Sequence, residues 1–287
     1  MVKFDLLAGT AAPNASAPRD RVPRILVFDS GLGGLTVHGE IARITPSAEL
    51  IYVADTEVFP YGQLAEDVLI ARVRAVIAEA VKLTEPDIAV IACNTASTLV
   101  LPVLRSAFDI PFVGTVPAIK PACEQSLSKR ISVLATPGTV MRDYTRELVA
   151  VHAQSCDVTL VGSTRLAGFA QDELFGAPAS DADLIEELRP AFVEKGGART
   201  DIVVLACTHY PLILHRLVAL APWPVTFIDS APAIARRTAQ LLGDVKEGPQ
   251  LPARAFFTGS EAAPPPLRAA LGTYGLSDIQ TLKVSGG

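Results

Sequence analysis

Two cysteines sit in a phrase that the chain repeats. Asp87-Ile-Ala-Val-Ile-Ala-Cys93-Asn94-Thr95 returns as Asp201-Ile-Val-Val-Leu-Ala-Cys207-Thr208-His209, each cysteine six residues after its Asp and at the close of an apolar run. Such a run reads as a strand buried on both faces of a parallel sheet, and in open α/β sheets ligand chemistry gathers where strands end. Both thiols are therefore expected to face one site. They suit a task that needs a base on each side of one carbon. One thiolate removes a proton from one face, the opposite thiol delivers a proton to the other, and a stereocentre inverts. A free thiol has a pKa of about 8.5, low enough to ionise with help from nearby donors or positive charge, and the thiolate is a competent base.

Cys123 and Cys156 lie outside the repeat and read as small core hydrophobes. His209 is open to three readings: a core histidine, a partner of the thiol or substrate, or a metal ligand. No further closely spaced Cys/His set completes four metal ligands around Cys207-x-His209, so no metal site is expected. His38, His152 and His215 fall in helical or amphipathic contexts and read as structural or exposed. Asp29-Ser30-Gly31-Leu32-Gly33-Gly34 follows a strand and opens a helix, a place where backbone N–H groups and the helix dipole hold an anion. It resembles half of a dinucleotide fingerprint, with Asp55 at the end of the next strand. Thr36 stands where the last glycine belongs, however, and the turn opens on an acid that repels a pyrophosphate. Pro60-Tyr61-Gly62 and Thr136-Pro137-Gly138-Thr139 are, taken alone, turns. With Asn94, Thr95 and Thr208 they supply hydroxyls and N–H groups able to hold a small polar zwitterion.

The elements that must position these residues alternate. Strands are expected at 25–28, 50–54, 88–92 and 111–115, with helices over 34–44, 65–83 and from 97. A second series has strands at 131–135, 157–162, 202–206 and 225–228, with helices over 139–151, 182–195 and from 211. Pro117-Ala118-Ile119 trails Cys93 much as Pro232-Ala233-Ile234 trails Cys207, so the echo extends beyond the strands. A period near 110 residues is too long for a solenoid. The expected fold is α/β: two similar doubly wound parallel-sheet lobes related by pseudo-twofold symmetry, with the active site in the cleft between them. The first lobe takes residues 23–116 and 230–287, the second 117–229, and 1–22 is a tail too poor in apolar residues to fold. After 230 we expect a helix to about 242, a strand at 255–258 and a turn over 262–266, which together complete the first lobe.

The chain of 287 residues, 49% hydrophobic and poor in aromatics, is long enough for two such cores. It has no apolar stretch near the roughly 20 residues that span a bilayer. Its net charge of −5 without a Lys/Arg run argues against nucleic acid or an anionic membrane as partner. Four cysteines without a C-x-x-C pair, and no secretory leader, point to reduced thiols in the cytoplasm.

The motifs together resemble the glutamate racemases of the aspartate/glutamate racemase superfamily over about residues 24–260. They are Phe28-Asp29-Ser30-Gly31-Leu32-Gly33-Gly34, Ala54-Asp55-Thr56 with Pro60-Tyr61-Gly62, Ala92-Cys93-Asn94-Thr95-Ala96, Gly114-Thr115-Val116-Pro117-Ala118, Ala135-Thr136-Pro137-Gly138-Thr139 and Ala206-Cys207-Thr208-His209-Tyr210-Pro211. Each is weak alone; six in the family's order are specific. The resemblance implies an enzyme that interconverts L- and D-glutamate without a cofactor, supplies D-glutamate for peptidoglycan and cell-wall building, and is commonly a homodimer. By the same match Cys93 and Cys207 are the acid/base pair, assisted by Asp29 and His209. Ser30, Pro60, Tyr61, Gly62, Asn94, Thr95, Thr136, Thr139 and Thr208 complete the substrate pocket. The family's assisting glutamate ahead of the second cysteine has no clear counterpart, and Asp172 and Glu173 are its two candidates. Two other functions remain beside this one: a ligand-binding protein on the same scaffold, and the same chemistry on aspartate, a hydantoin or maleate.

Overall fold

The computed structural model describes residues 21–243, 251–259 and 263–284. Of the tail expected over 1–22, all but Arg21 and Val22 lies outside these residues, as does Ala262 of the Pro-rich segment. In chain order the structure has β1 (Arg24–Asp29), α1 (Leu35–Ile44), β2 (Glu49–Ala54), α2 (Glu66–Thr84), β3 (Ile88–Ile91), α3 (Asn94–Ala107) and β4 (Phe112–Gly114). There follow α4 (Ile119–Gln125), β5 (Arg130–Ala135), α5 (Pro137–Met141), α6 (Asp143–His152), β6 (Asp157–Gly162), α7 (Leu166–Leu174) and α8 (Asp181–Leu188). Next come β7 (Glu194–Lys195), β8 (Ala198–Arg199), β9 (Ile202–Ala206), α9 (Leu214–Leu220) and β10 (Thr226–Ile228). α10 (Ala231–Leu242), β11 (Ala253–Phe257), α11 (Pro265–Thr273) and β12 (Leu276–Thr281) close the chain.

Among the described residues, one compact unit takes the chain up to Thr115 and again from Ala231, and the other spans Val116–Ser230. In the first unit the strands run β12-β11-β2-β1-β3-β4, every pair parallel. β1 is central, with Val27 opposite Tyr52 on one side and Val90 on the other. Its apolar residues are shut from water, as a parallel strand covered on both faces requires. In the second unit the order is β10-β9-β5-β6, again parallel. That is the order β4-β3-β1-β2 with new members, so β3 and β9, the strands that lead to Cys93 and Cys207, hold the same place in their sheets.

The repeated aspartates pin the other ends of those strands. Asp87 Oδ2 accepts the Arg24 N–H at 2.7 Å, tying the start of β3 to the start of β1. Asp201 Oδ2 accepts the N–H groups of Leu127 and Ser128 at 2.7 and 2.8 Å, tying β9 to the turn that enters β5. The repeat thus has an anchor at one end of a strand and a thiol at the other.

Departures from the expected elements have local causes. The helix expected over 139–151 breaks into α5 and α6 at Arg142, whose backbone is extended (φ −74°, ψ 142°). The helix expected over 182–195 stops at Leu188. A 3-10 turn follows over Arg189–Ala191, and β7 and β8 then make a hairpin about Gly196 and Gly197. Both glycines take positive φ, 63° and 78°, which a two-residue hairpin loop of this hand requires. The segment expected as a turn over 262–266 holds the start of α11, with Pro265 in the first turn where a missing N–H costs nothing.

Asp55, just past β2, holds the returning chain to the sheet. Fully buried, its carboxylate accepts from Arg72 of α2 at 2.9 and 2.7 Å, from Thr258 past β11 at 2.7 Å, and from the Tyr61 hydroxyl. Removing it would leave two hydroxyls without this acceptor and the nearly buried Arg72 guanidinium with only the more exposed Glu57 carboxylate, 2.7 Å away, to meet its charge. We expect Asp55→Ala to cost about 2–3 kcal/mol of stability, less than the penalty of a fully uncompensated buried charge because Glu57 still meets Arg72. Urea denaturation measures it, and a loss below about 1 kcal/mol would contradict this role.

Candidate active site

In the first unit the ends of β1, β2 and β3 bring Asp29, Asp55 and Cys93 into line. Asp55 N–H donates to the Asp29 carbonyl at 2.9 Å and Ala92 N–H to the Phe28 carbonyl at 2.7 Å, so the pairing of the strands continues to their last residues. Cys93 has extended dihedrals and stands as the cap of α3, leaving Asn94 and Thr95 in the helix's first turn. The helix begins three residues earlier than its expected start at 97. Ser97 fastens it: its hydroxyl donates to the Ile91 carbonyl at 2.9 Å and accepts from the Thr115 N–H at 2.9 Å.

The turn after β1 does hold an anion, and the anion is its own first residue. Asp29 Oδ2 accepts the N–H groups of Gly34 at 3.0 Å and Gly31 at 3.3 Å, while the Ser30 hydroxyl lies 3.5 Å from Oδ1. These donors are engaged, which removes the dinucleotide reading for this turn. Gly34 permits the approach, because a Cβ there would fall 2.9 Å from that of Asp29 and 3.1 Å from that of Ala92. Tyr52 of β2 braces the turn from below, donating to the Gly31 carbonyl at 2.9 Å.

Cys93 is buried against this turn, and its thiol donates to Ser30 Oγ at 3.4 Å. Burial, and next the Asp29 carboxylate, push its pKa up to about 12, against the pull of the Ser30 hydroxyl and of N–H groups on Ala96 and Ser30. Tyr61 is buried beside them; burial first, then Asp55, raise its phenol well above its usual range, and Cys93 contributes to the rise. Pro60 and Gly62 flank it and are partly exposed. Asn94 is buried with neither side-chain amide atom paired. An orphaned buried amide is costly in a finished fold, about 1–3 kcal/mol, and is a place where a bound molecule recovers energy.

In the second unit β9 delivers Cys207, Thr208 and His209, all buried, into a 3-10 turn over Tyr210–Ile213. β5 delivers Thr136 and Thr139, whose hydroxyls lie 3.0 Å apart across the first turn of α5. The Tyr210 N–H donates to the Cys207 carbonyl at 3.2 Å, and burial, then Cys207, raise the Tyr210 phenol well above its usual range. His209 Nε2 lies 3.1 Å from Oε1 of Gln171, on α7. Gln171 is a partner the sequence reading missed. Of its two candidates, Asp172 is exposed and Glu173 pairs with Arg216 at 3.0 Å. The signal was weak: an amide beside two carboxylates, with only the helical spacing to say which of the three faces inward. Every expected site residue therefore falls in one of two clusters. Asp29, Ser30, Pro60, Tyr61, Gly62, Cys93, Asn94 and Thr95 form the first, and Thr136, Thr139, Cys207, Thr208 and His209 the second. Among the described residues, no three His, Cys, Asp or Glu side chains group as metal ligands, and no helix is long and apolar enough to cross a membrane.

Residues 36–238 match the family described as Asp/Glu/Hydantoin racemase. A glutamate racemase of Brucella anthropi is 52% identical over 234 residues, 81% of this chain and 83% of that protein. One from Brucella ovis is 53% identical over 219 residues, 76% and 79% of the two chains. Among solved structures, the Escherichia coli glutamate racemase in complex with L-glutamate and the activator UDP-MurNAc-ala superposes with a TM-score of 0.85 at 40% identity, covering 93% of this chain and all of that one. A glutamate racemase isoform of Bacillus anthracis gives 0.77 at 28% identity, covering 92% and 97%.

The thiol environments predict an order of reactivity. Only the thiolate alkylates, and a pKa of about 12 leaves a thiolate fraction on the order of 10⁻⁴ at pH 8. In the native protein without ligand, partly exposed Cys156 should react with iodoacetamide before Cys93. The rate at Cys93 should keep rising about tenfold per pH unit to at least pH 10. Peptide mapping of the alkylated protein reads both, and a rate at Cys93 that levels off near pH 9 would contradict the assignment.

Proposed function

The chain belongs to the Asp/Glu/Hydantoin racemase family, and from that membership we propose that it interconverts L- and D-glutamate with Cys93 and Cys207 as the two acid/base groups, each serving one face of Cα. The observation that carries this reading is the shared build of the two units: equivalent parallel strands, β3 and β9, each end on a buried thiol. The relatives that are glutamate racemases, and the Escherichia coli complex with L-glutamate, support the choice of substrate. The product D-glutamate serves peptidoglycan synthesis.

The environment of each thiol suggests how the step is managed. Beside Asp29, Cys93 rests as the thiol, able to donate a proton to a developing carbanion. An amino-acid ammonium bound near Asp29 offsets the buried negative charge, and the thiolate, the base for the reverse direction, becomes accessible. Cys207 has His209 in place of a carboxylate, and Gln171 Oε1 accepting from His209 Nε2–H would leave Nδ1 unprotonated. In each turnover one S–H bond forms with the abstracted proton while the opposite S–H bond breaks, so the thiols exchange protonation states. Asn94 Nδ2, with no partner of its own, donates to a substrate carboxylate, and Ser30, Thr95, Thr136, Thr139, Thr208, Pro60, Tyr61 and Gly62 shape the remaining contacts. The reaction requires no cofactor. We place the enzyme in the cytoplasm, where its four cysteines stay reduced, and as a homodimer, which light scattering after gel filtration tests.

Cys93→Ala and Cys207→Ala are each expected to lower racemisation at least about 10²-fold, while Cys123→Ala and Cys156→Ala leave it largely intact. In D₂O, early product from either enantiomer should carry deuterium at Cα, with the remaining substrate mostly protiated. Product that retains its original proton would exclude the two-thiol mechanism.

Gln171 separates positioning from bulk. Gln171→Leu, which keeps volume and removes the acceptor, should lower kcat roughly tenfold. Gln171→Glu should keep activity and move the acid limb of the pH–rate profile upward, because a carboxylate favours the protonated imidazole and raises its pKa. An unmoved profile in Gln171→Glu would show that the pair is packing alone.

A further inference from the structure

Two cysteines that take no part in the proposed chemistry meet in the second unit. Cys123, in the last turn of α4, is buried in the core that holds Ile119, Ala135, Ala153 and Val204. Cys156, partly exposed in the turn between α6 and β6, packs against the same core. Their contact follows from how α4 ends. The Leu127 N–H, which a continuing helix would send to the Cys123 carbonyl, goes instead to Asp201 Oδ2 at 2.7 Å. Two side chains take its place at that carbonyl, the Lys129 ammonium at 3.3 Å and the Cys156 thiol at 3.6 Å. The sulfur of one cysteine thus lies against the backbone of the other, and the two thiols interact with one another.

The two thiols are unequal. Burial first, then Cys156 as hydrogen-bond partner and neighbouring charge, push the Cys123 pKa up to about 12, against the pull of Lys129. Cys123 is held as the thiol and shut from water, whereas Cys156 meets solvent and an oxidant reaches its sulfur. We propose that Cys156 and Cys123 are a site of reversible oxidation by peroxide, in which Cys156 reacts first and Cys123 closes a disulfide within the second unit. The Cys156 thiolate attacks one oxygen of hydrogen peroxide, the O–O bond breaks, and the departing hydroxide takes up the proton the thiol released, leaving a sulfenic acid and one water. The Cys123 sulfur then attacks the Cys156 sulfur and its proton goes to the departing hydroxide, a second water. Two thiols lose two electrons in all, and one peroxide becomes two waters. The sulfenic acid is uncharged, so the repulsion that Cys156 exerts on a Cys123 thiolate is gone at the step that needs that thiolate. The bond joins residues 33 positions apart and ties α4 to the entry of β6. In a reducing compartment it lasts only while the oxidant does.

The test treats the full chain with hydrogen peroxide, blocks the remaining thiols with iodoacetamide in denaturant and maps the peptides by mass. The free thiols are expected to fall from four to two, with the Cys123 and Cys156 peptides joined within one chain, and dithiothreitol should restore all four. Dimedone, which captures sulfenic acids, reads the order of events. Cys123→Ala removes the second thiol, so the dimedone adduct at Cys156 should be at least about tenfold more abundant there than in the unmodified protein, where Cys123 competes for the same sulfur. The peptide map of the unmodified protein does not hang on the folding of a variant, and neither readout uses racemisation, so failure here and failure of the two-thiol mechanism are told apart. Cys156 carried to sulfinic acid while Cys123 stays free, a disulfide between two chains, first oxidation at Cys93 or Cys207, or equal trapping in the unmodified protein and folded Cys123→Ala would each overturn the proposal.

Discussion

A carboxylate shut away from water must find donors, and at the end of β1 Asp29 finds them in its own turn. Much of the first cluster follows from that capture. The turn closes on Gly34, where no side chain larger than hydrogen fits beside Asp29, and α1 starts immediately after it. Ser30 is carried to within reach of both the carboxylate and the Cys93 thiol. Burial and, next, this carboxylate keep the Cys93 thiol protonated.

The two units share a strand order and differ in the residues that accompany their thiol along the chain. One offers a carboxylate wrapped in backbone donors; the other offers an imidazole that meets an amide. A repeated scaffold supplies equivalent positions, and the residues one or two places along decide the charge.

What could be read from the sequence follows how each element is buried. β3 and β9 are apolar throughout, and β1 and β5 carry apolar runs after an opening arginine, because both faces are covered; their ends, with the cysteines, are plain in the sequence. β12 has a single buried residue, Leu276, and its Leu-Ser-Asp-Ile-Gln-Thr carries no strand pattern, so it passed unseen with α11 before it. Gln171 was overlooked because two carboxylates follow it and only packing shows which side chain turns inward. His38, read as structural or exposed, is fully buried, and a helical context alone did not reveal that its ring would go unpaired.

The place of β2 has a consequence for the growing chain. In the finished sheet β2 is interior, paired on its outer side with β11, and the Asp55–Thr258 bond that seals the junction spans 203 residues. On the ribosome, β2 is therefore an open edge for as long as those residues take to appear. At roughly 5–20 residues per second that is on the order of 10–40 s. The final edge falls to β12, largely polar and unattractive to other strands, but the waiting edge is Glu-Leu-Ile-Tyr-Val-Ala, rich in residues that invite pairing. Aggregation during synthesis, more than in the mature protein, is where this topology is vulnerable.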